Sequence, residues 1–151
     1  GGVRLADKWA QHLNDYHGIT GQVAFLHKQR RKDERNVSKT RSVVGEVEGK
    51  VCVIVDDMID TAGTLIHSAQ ALFEKGARSI SAACTHAVLS GPAIQRINSS
   101  KLHQVITTNS IPTEEKEADC SKLKTLSIAP LLAEAIKRIH AEDSVSSLFE
   151  M

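Results

Sequence analysis

The sequence predicts an α/β fold, a mostly parallel sheet with helices on both faces. Three observations lead there. Short β-branched apolar runs alternate with segments whose apolar residues recur every three or four positions, the order expected of βαβ units. The run Val51-Cys52-Val53-Ile54-Val55 has no polar alternation, as in a parallel strand buried on both sides. Only 3% of the 151 residues are aromatic, so a one-domain core must be built from Val, Ile, Leu and Ala.

Each element follows from its local pattern. Residues 3–15 read as a helix with Leu5, Trp9 and Leu13 on one face. Residues 22–26 suit a short strand, and 27–41 a long polar loop. Residues 51–55 form the buried strand. A helix over 63–75 places Leu65, Ile66, Ala69, Leu72 and Phe73 toward the core, with Gly76 as its expected C-terminal stop. Strands follow at 79–85, 104–108 and 123–128. A short helix spans 92–98, opened by Pro92. Residues 130–140 form an amphipathic helix aligning Leu131, Leu132, Ala135, Ile136 and Ile139. Residues 144–151 are a tail.

Bulk properties exclude several classes. The formal charge of +1 gives no reason to expect a nucleic-acid or membrane partner. No stretch approaches the roughly 20 apolar residues of a membrane helix. Cys52, Cys84 and Cys120 are odd in number and two lie in apolar strands, which suits a reduced, cytoplasmic compartment rather than disulfides. Cys52 and Cys84 are expected to be inert core thiols, and Cys120, in a polar stretch, to be exposed. The abrupt Gly1 start leads to the expectation of a fragment.

The chemistry concentrates at Val51-Cys52-Val53-Ile54-Val55-Asp56-Asp57-Met58-Ile59-Asp60-Thr61-Ala62-Gly63-Thr64. An apolar strand ends in two carboxylates and then turns into a helix. Ligands of parallel sheets sit beyond the carboxyl ends of the strands. First-turn N–H groups and the helix dipole favour a phosphate there, Gly63 permits close backbone approach, and Thr61 and Thr64 add hydroxyls. A sugar attached to that phosphate would lie back toward Asp56 and Asp57, whose carboxylates can accept hydroxyl hydrogen bonds or help hold a divalent metal. The plainer alternative makes Asp60 or Thr61 a helix cap and the two acids surface groups.

Val53 to Thr64 resembles the PRPP-binding signature of type I phosphoribosyltransferases and ribose-phosphate pyrophosphokinases. Several further segments resemble the second half of the pyrophosphokinases: Gly1-Gly2-Val3-Arg4, Thr85-His86-Ala87-Val88-Leu89-Ser90-Gly91-Pro92-Ala93-Ile94, Thr108-Asn109-Ser110-Ile111-Pro112, Leu132-Ala133-Glu134-Ala135-Ile136 and Ser144-Val145-Ser146-Ser147-Leu148-Phe149. The resemblance spans essentially the whole chain and fits the eukaryotic-like class I branch. It implies a type I phosphoribosyltransferase-like fold, with residues 1–128 forming the ribose 5-phosphate-binding C-terminal catalytic domain. Residues 129–151 would be a closing helix and tail packed on an absent N-terminal half.

The same resemblance implies transfer of the β,γ-diphosphoryl group of ATP to the C1 hydroxyl of ribose 5-phosphate, giving PRPP and AMP, with Mg²⁺ as cofactor. Asp56 and Asp57 would face the ribose hydroxyls, and Asp60, Thr61, Ala62, Gly63 and Thr64 would wrap the 5-phosphate. The family's catalytic flexible loop carries a Lys and, two residues on, an Arg, here Lys28 and Arg30. The cations Lys28, Arg30, Arg31, Lys32, Arg35, Lys39 and Arg41 crowd that loop. A mobile cationic loop can close over a polyphosphate, although a solvated charge run is the ordinary reading. His27 and Gln29 depart from the bacterial pattern. Family members bind an allosteric phosphate or ADP near the tail at a subunit interface, which puts Ser144, Val145, Ser146 and Phe149 forward, whereas Val145, Leu148 and Phe149 could equally just dock the terminus. The family also implies a homo-oligomer, dimer-based and hexameric. His86 is expected to hydrogen bond structurally, and His67 to be packed or exposed. Two alternatives stand beside this reading: a non-catalytic regulatory subunit associated with the synthetases, and a type I phosphoribosyltransferase.

Overall fold

The computed structural model describes residues 2–28 and 41–149. Four parallel strands make the main sheet, in the order β3 (Val51–Ile59), β4 (Ser79–Ala87), β5 (Gln104–Thr108) and β6 (Leu123–Leu126). Their connections carry α2 (Gly63–Glu74), α3 (Ala93–Ser99) and α4 (Glu114–Ala118). Each crossover steps to the next strand in one direction, so right-handed connections put these helices on a common face. α1 (Gly2–His17) runs along β3, and α5 (Ala129–His140) and a 3₁₀ turn (Ser146–Phe149) close the described chain. The expected parallel α/β sheet flanked by helices is thus present.

The core lies between the sheet and α2–α3. It is aliphatic: Leu65, Ala69, Leu72, Ile80, Ala82, Ile97, Leu102, Val105 and Leu123 are all buried. Within α2 the expected inward residues Leu65, Ala69 and Leu72 are buried and Ile66 packs against them. Phe73 is the exception, half exposed beneath the Lys101 ammonium. α2 stops at Lys75, and Gly76 follows at φ +82, the left-handed stop expected of a glycine there.

Several expectations change. β3 is an edge strand rather than one buried on both faces: Val51 is 55% and Val53 45% exposed. Cys52 and Ile54, alternating with them, pack against the core. An apolar cleft of 890 Å³ separates α1 from β3, and α1 buries none of its residues fully. The strand expected over 22–26 lies instead at Phe25–Lys28 (β1), where it pairs antiparallel with Arg41–Val44 (β2). β1 takes the first two residues of the expected polar loop, and β2 begins at its last residue, in a stretch where no strand is expected. Gly45 makes this hairpin possible, since a Cβ there would stand 3.0 Å from the Ala24 Cβ. Cys120 is fully buried, not exposed, just after the short α4 that the sequence pattern did not reveal. Leu131, Leu132, Ile136 and Ile139 on α5 face outward, so the amphipathic helix leaves its apolar stripe uncovered within the described residues.

Candidate sugar-phosphate site

β3 runs four residues beyond its apolar stretch. Pairing with β4 continues to Ile59↔Ala87, so Asp56 and Asp57 lie inside the strand near its carboxyl end rather than after it. Backbone pairing does not require an apolar side chain, which is why the hydrophobic run understates the strand. Both acids are exposed, and the Asp57 N–H donates to Asp56 Oδ1 at 3.0 Å. The edge position makes this possible, because an edge strand leaves N–H groups without a ladder partner. Partial burial pushes the Asp56 carboxyl above its usual range. The Asp57 N–H works against that shift, and the Asp57 carboxylate adds to it.

After Ile59 the chain makes its turn. Asp60 and Thr61 are exposed, Ala62 is buried in a left-handed conformation at φ 57, and α2 begins at Gly63. Four hydrogen bonds from residues 89–96 hold the turn. Leu89 N–H donates to the Ile59 carbonyl at 3.1 Å, and Ser90 N–H to the Asp60 carbonyl at 3.2 Å. The Ser90 hydroxyl donates to the Asp60 carboxylate. Arg96 Nη1 donates to the Thr61 carbonyl at 2.7 Å. The acceptors of the turn are therefore drawn toward the β4–α3 connection, which leaves the helix start to present N–H donors elsewhere. The N-cap position of α2 falls on Ala62, which makes no side-chain cap hydrogen bond, so neither Asp60 nor Thr61 is the N-cap residue of the plainer reading. Asp60 has a partner in Ser90, which makes it a brace of the turn.

The sheet end beside the acids is also braced. Thr108 Oγ1 and Ser110 Oγ both donate to the Thr85 carbonyl, at 2.8 and 2.9 Å. His86 Nδ1 lies 2.9 Å from Ser110 Oγ, the structural hydrogen bond expected of it, and His67 is exposed. Cys52 and Cys84 are free thiols whose pKa burial pushes up, in keeping with inert roles. Among the described residues no group of three or more His, Cys, Asp or Glu side chains is placed to hold a metal by itself.

The remaining candidates are not all brought together. Lys28 ends β1, and Arg30 lies outside the described residues. Ser144, Val145, Ser146 and Phe149 follow α5. Arg138 ties that segment down through the Ser144 carbonyl at 3.2 Å and the Ser147 hydroxyl. It also hydrogen bonds Glu134 at 2.8 Å, holding that carboxyl below its usual range. Val145 and Leu148 are half-buried, whereas Phe149 is 77% exposed, so Phe149 does not dock the terminus. Sequence reasoning missed Ser90 and Arg96 as site residues. Their only signal was a position after the strand neighbouring β3.

Fold and site together define a class: a parallel α/β domain with an acidic strand end beside a helix-opening turn. Residues 21–150 match the family described as the phosphoribosyl synthetase-associated domain, and the chain belongs to that family. It is 46% identical over 151 residues to a ribose-phosphate pyrophosphokinase of Clostridium acetobutylicum, covering 99% of this chain and 44% of the relative. It is 46% identical over 149 residues to the one from Bacillus subtilis, again with 99% and 44% coverage. A crystal structure of phosphoribosylpyrophosphate synthetase from Mycobacterium smegmatis superimposes with a TM-score of 0.78 at 41% identity, covering 93% of this chain and 42% of that one. The chain thus spans less than half the length of these relatives.

Proposed function

We propose that this chain forms the ribose 5-phosphate side of a ribose-phosphate pyrophosphokinase. The observation that carries the proposal is the pairing of Asp56 and Asp57 at the end of β3 with a helix-opening turn whose carbonyls are tied back. In this reading residues 60–64 hold the 5-phosphate, and the two carboxylates orient the ribose through its vicinal hydroxyls. The C1 hydroxyl oxygen then attacks the β-phosphorus of ATP, the bond to the α,β-bridging oxygen breaks, and AMP leaves. Lys28 and Arg30 supply positive charge to the transferring group, since positioning and electrostatics dominate phosphoryl transfer.

Adjacent exposed carboxylates fit a Mg²⁺ that takes one or two protein ligands and completes its shell with substrate oxygens. Asp56 and Asp57 would hold it, and when bound it offsets phosphate charge. The same reading carries a cytoplasmic homo-oligomer and an anion-responsive tail at Ser144, Val145, Ser146 and Phe149. It also carries a docking role for residues 129–151, whose exposed α5 stripe suits a protein partner surface.

The test is AMP release from ATP that depends on ribose 5-phosphate, measured on the protein carrying this chain. Dependence on ribose 5-phosphate is the expected result. Its absence, with PRPP consumed in the presence of a nucleobase, would move the assignment to the phosphoribosyltransferases. Absence of both activities would favour a regulatory subunit.

A further inference from the structure

We propose that Arg96 is a positioning residue of the sugar-phosphate site, acting on substrate through the backbone of the turn. The inference rests on the ribose 5-phosphate reading above and extends it to α3. Arg96 Nη1 donates to the Thr61 carbonyl at 2.7 Å, and the same atom lies 3.5 Å from where a Cβ on Gly63 would stand. One guanidinium therefore covers both residues that flank Ala62.

The consequence follows from peptide geometry. In a trans peptide the C=O and the following N–H point in opposite directions. Drawing the Thr61 carbonyl toward Arg96 turns the Ala62 N–H away from it, to the side where a phosphate would sit. Ala62 at φ 57 then leads into helical Gly63. A left-handed residue next to a right-handed one makes successive N–H groups converge into an anion-binding concavity. A non-glycine residue keeps this conformation only when its surroundings over-determine it. Here the restraints are Arg96 on Thr61, Ser90 on Asp60 and the Ile66 N–H on the Ala62 carbonyl. Arg96 alone of these brings a charge, which also adds to the positive potential of the helix start.

The side chain is exposed and its partner is a backbone oxygen 35 residues away. Losing it costs little core packing and should act mainly on the turn. A phosphate-bearing sugar should feel this more than the fold does.

The test compares wild type, Arg96→Met and Arg96→Lys in the intact protein, at saturating ATP. Arg96→Met is expected to raise KM for ribose 5-phosphate about tenfold, the size of one charge-assisted hydrogen bond. It should weaken competition by inorganic phosphate similarly, with kcat changed less than about threefold and Tm by less than about 4 °C. Arg96→Lys retains the cation and should recover most of the KM. A purely structural role would instead lower Tm and the active fraction while leaving KM at the wild-type value, and that result overturns the proposal. If Arg96→Met does not accumulate, Arg96→Gln, which removes the charge and keeps polarity, carries the test: a KM raised severalfold or more with kcat changed less than about threefold supports the proposal, and an unchanged KM overturns it. Wild type without ribose 5-phosphate-dependent AMP release would sink the functional reading itself, a different outcome from active variants with unchanged KM.

Discussion

Replacing Asp56 by Asn should make the protein more stable at neutral pH and worse at binding its sugar. The substitution keeps shape and an acceptor oxygen for the Asp57 N–H, which now reaches Asp56 Oδ1 at 3.0 Å, and removes one charge beside the Asp57 carboxylate. Burial raises the folded-state pKa of Asp56 above the unfolded value of about 3.9. Between those two values the folded protein holds more protons than the unfolded chain, so stability falls as pH rises. The penalty is absent below the unfolded pKa and complete above the folded one. Because the group is exposed, solvent screening limits the gain from Asp56→Asn to under about 1 kcal/mol, or a Tm rise of up to about 4 °C. Losing a charge-assisted hydrogen bond to a ribose hydroxyl costs about 1.5–3 kcal/mol, roughly 10- to 100-fold in Kd. Thermal melts from pH 3 to pH 8 and titration calorimetry with ribose 5-phosphate read the two effects. A Tm gain that persists unchanged at pH 3, or a loss of stability at pH 7, would refute the electrostatic reasoning.

Two further outcomes are expected. Lys28→Ala should lower turnover about 100-fold or more with little change in ribose 5-phosphate affinity. Near-normal turnover would remove Lys28 from the transfer step. Gly76→Ala should destabilise the fold by about 1–2 kcal/mol, because Gly76 sits at φ +82 and its new Cβ would meet Glu48 Cγ at 3.1 Å. Chemical denaturation should show that loss while ribose 5-phosphate affinity stays constant.

The strand-turn-helix unit was legible in the sequence because its signals are local. An apolar run marks β3, paired acids mark its end, and Asp60-Thr61-Ala62-Gly63-Thr64 marks the turn. The helix pattern of α2 likewise needs only its own residues. What could not be read was set by distant segments. Ser90 reaches Asp60 across 30 residues and Arg96 reaches Thr61 across 35, and both contacts exist only because β4 pairs with β3. The exposure of Val51 and Val53 has the same origin, since a β-branched run looks alike in a central strand and in an edge strand. β2 was hidden because Arg41-Ser42-Val43-Val44 borders a cationic stretch and becomes a strand through pairing with Phe25–Lys28. α4 is too short, at five residues, to show a helical period.

The claim that residues 51–64 form a ribose 5-phosphate site is tested most directly by calorimetric titration of wild type and Asp57→Asn with ribose 5-phosphate, ribose and inorganic phosphate. Wild type should bind ribose 5-phosphate more tightly than either component. Asp57→Asn should lose roughly 10- to 100-fold for the phosphorylated sugar while keeping its affinity for inorganic phosphate. An unchanged affinity of Asp57→Asn for ribose 5-phosphate would contradict the account.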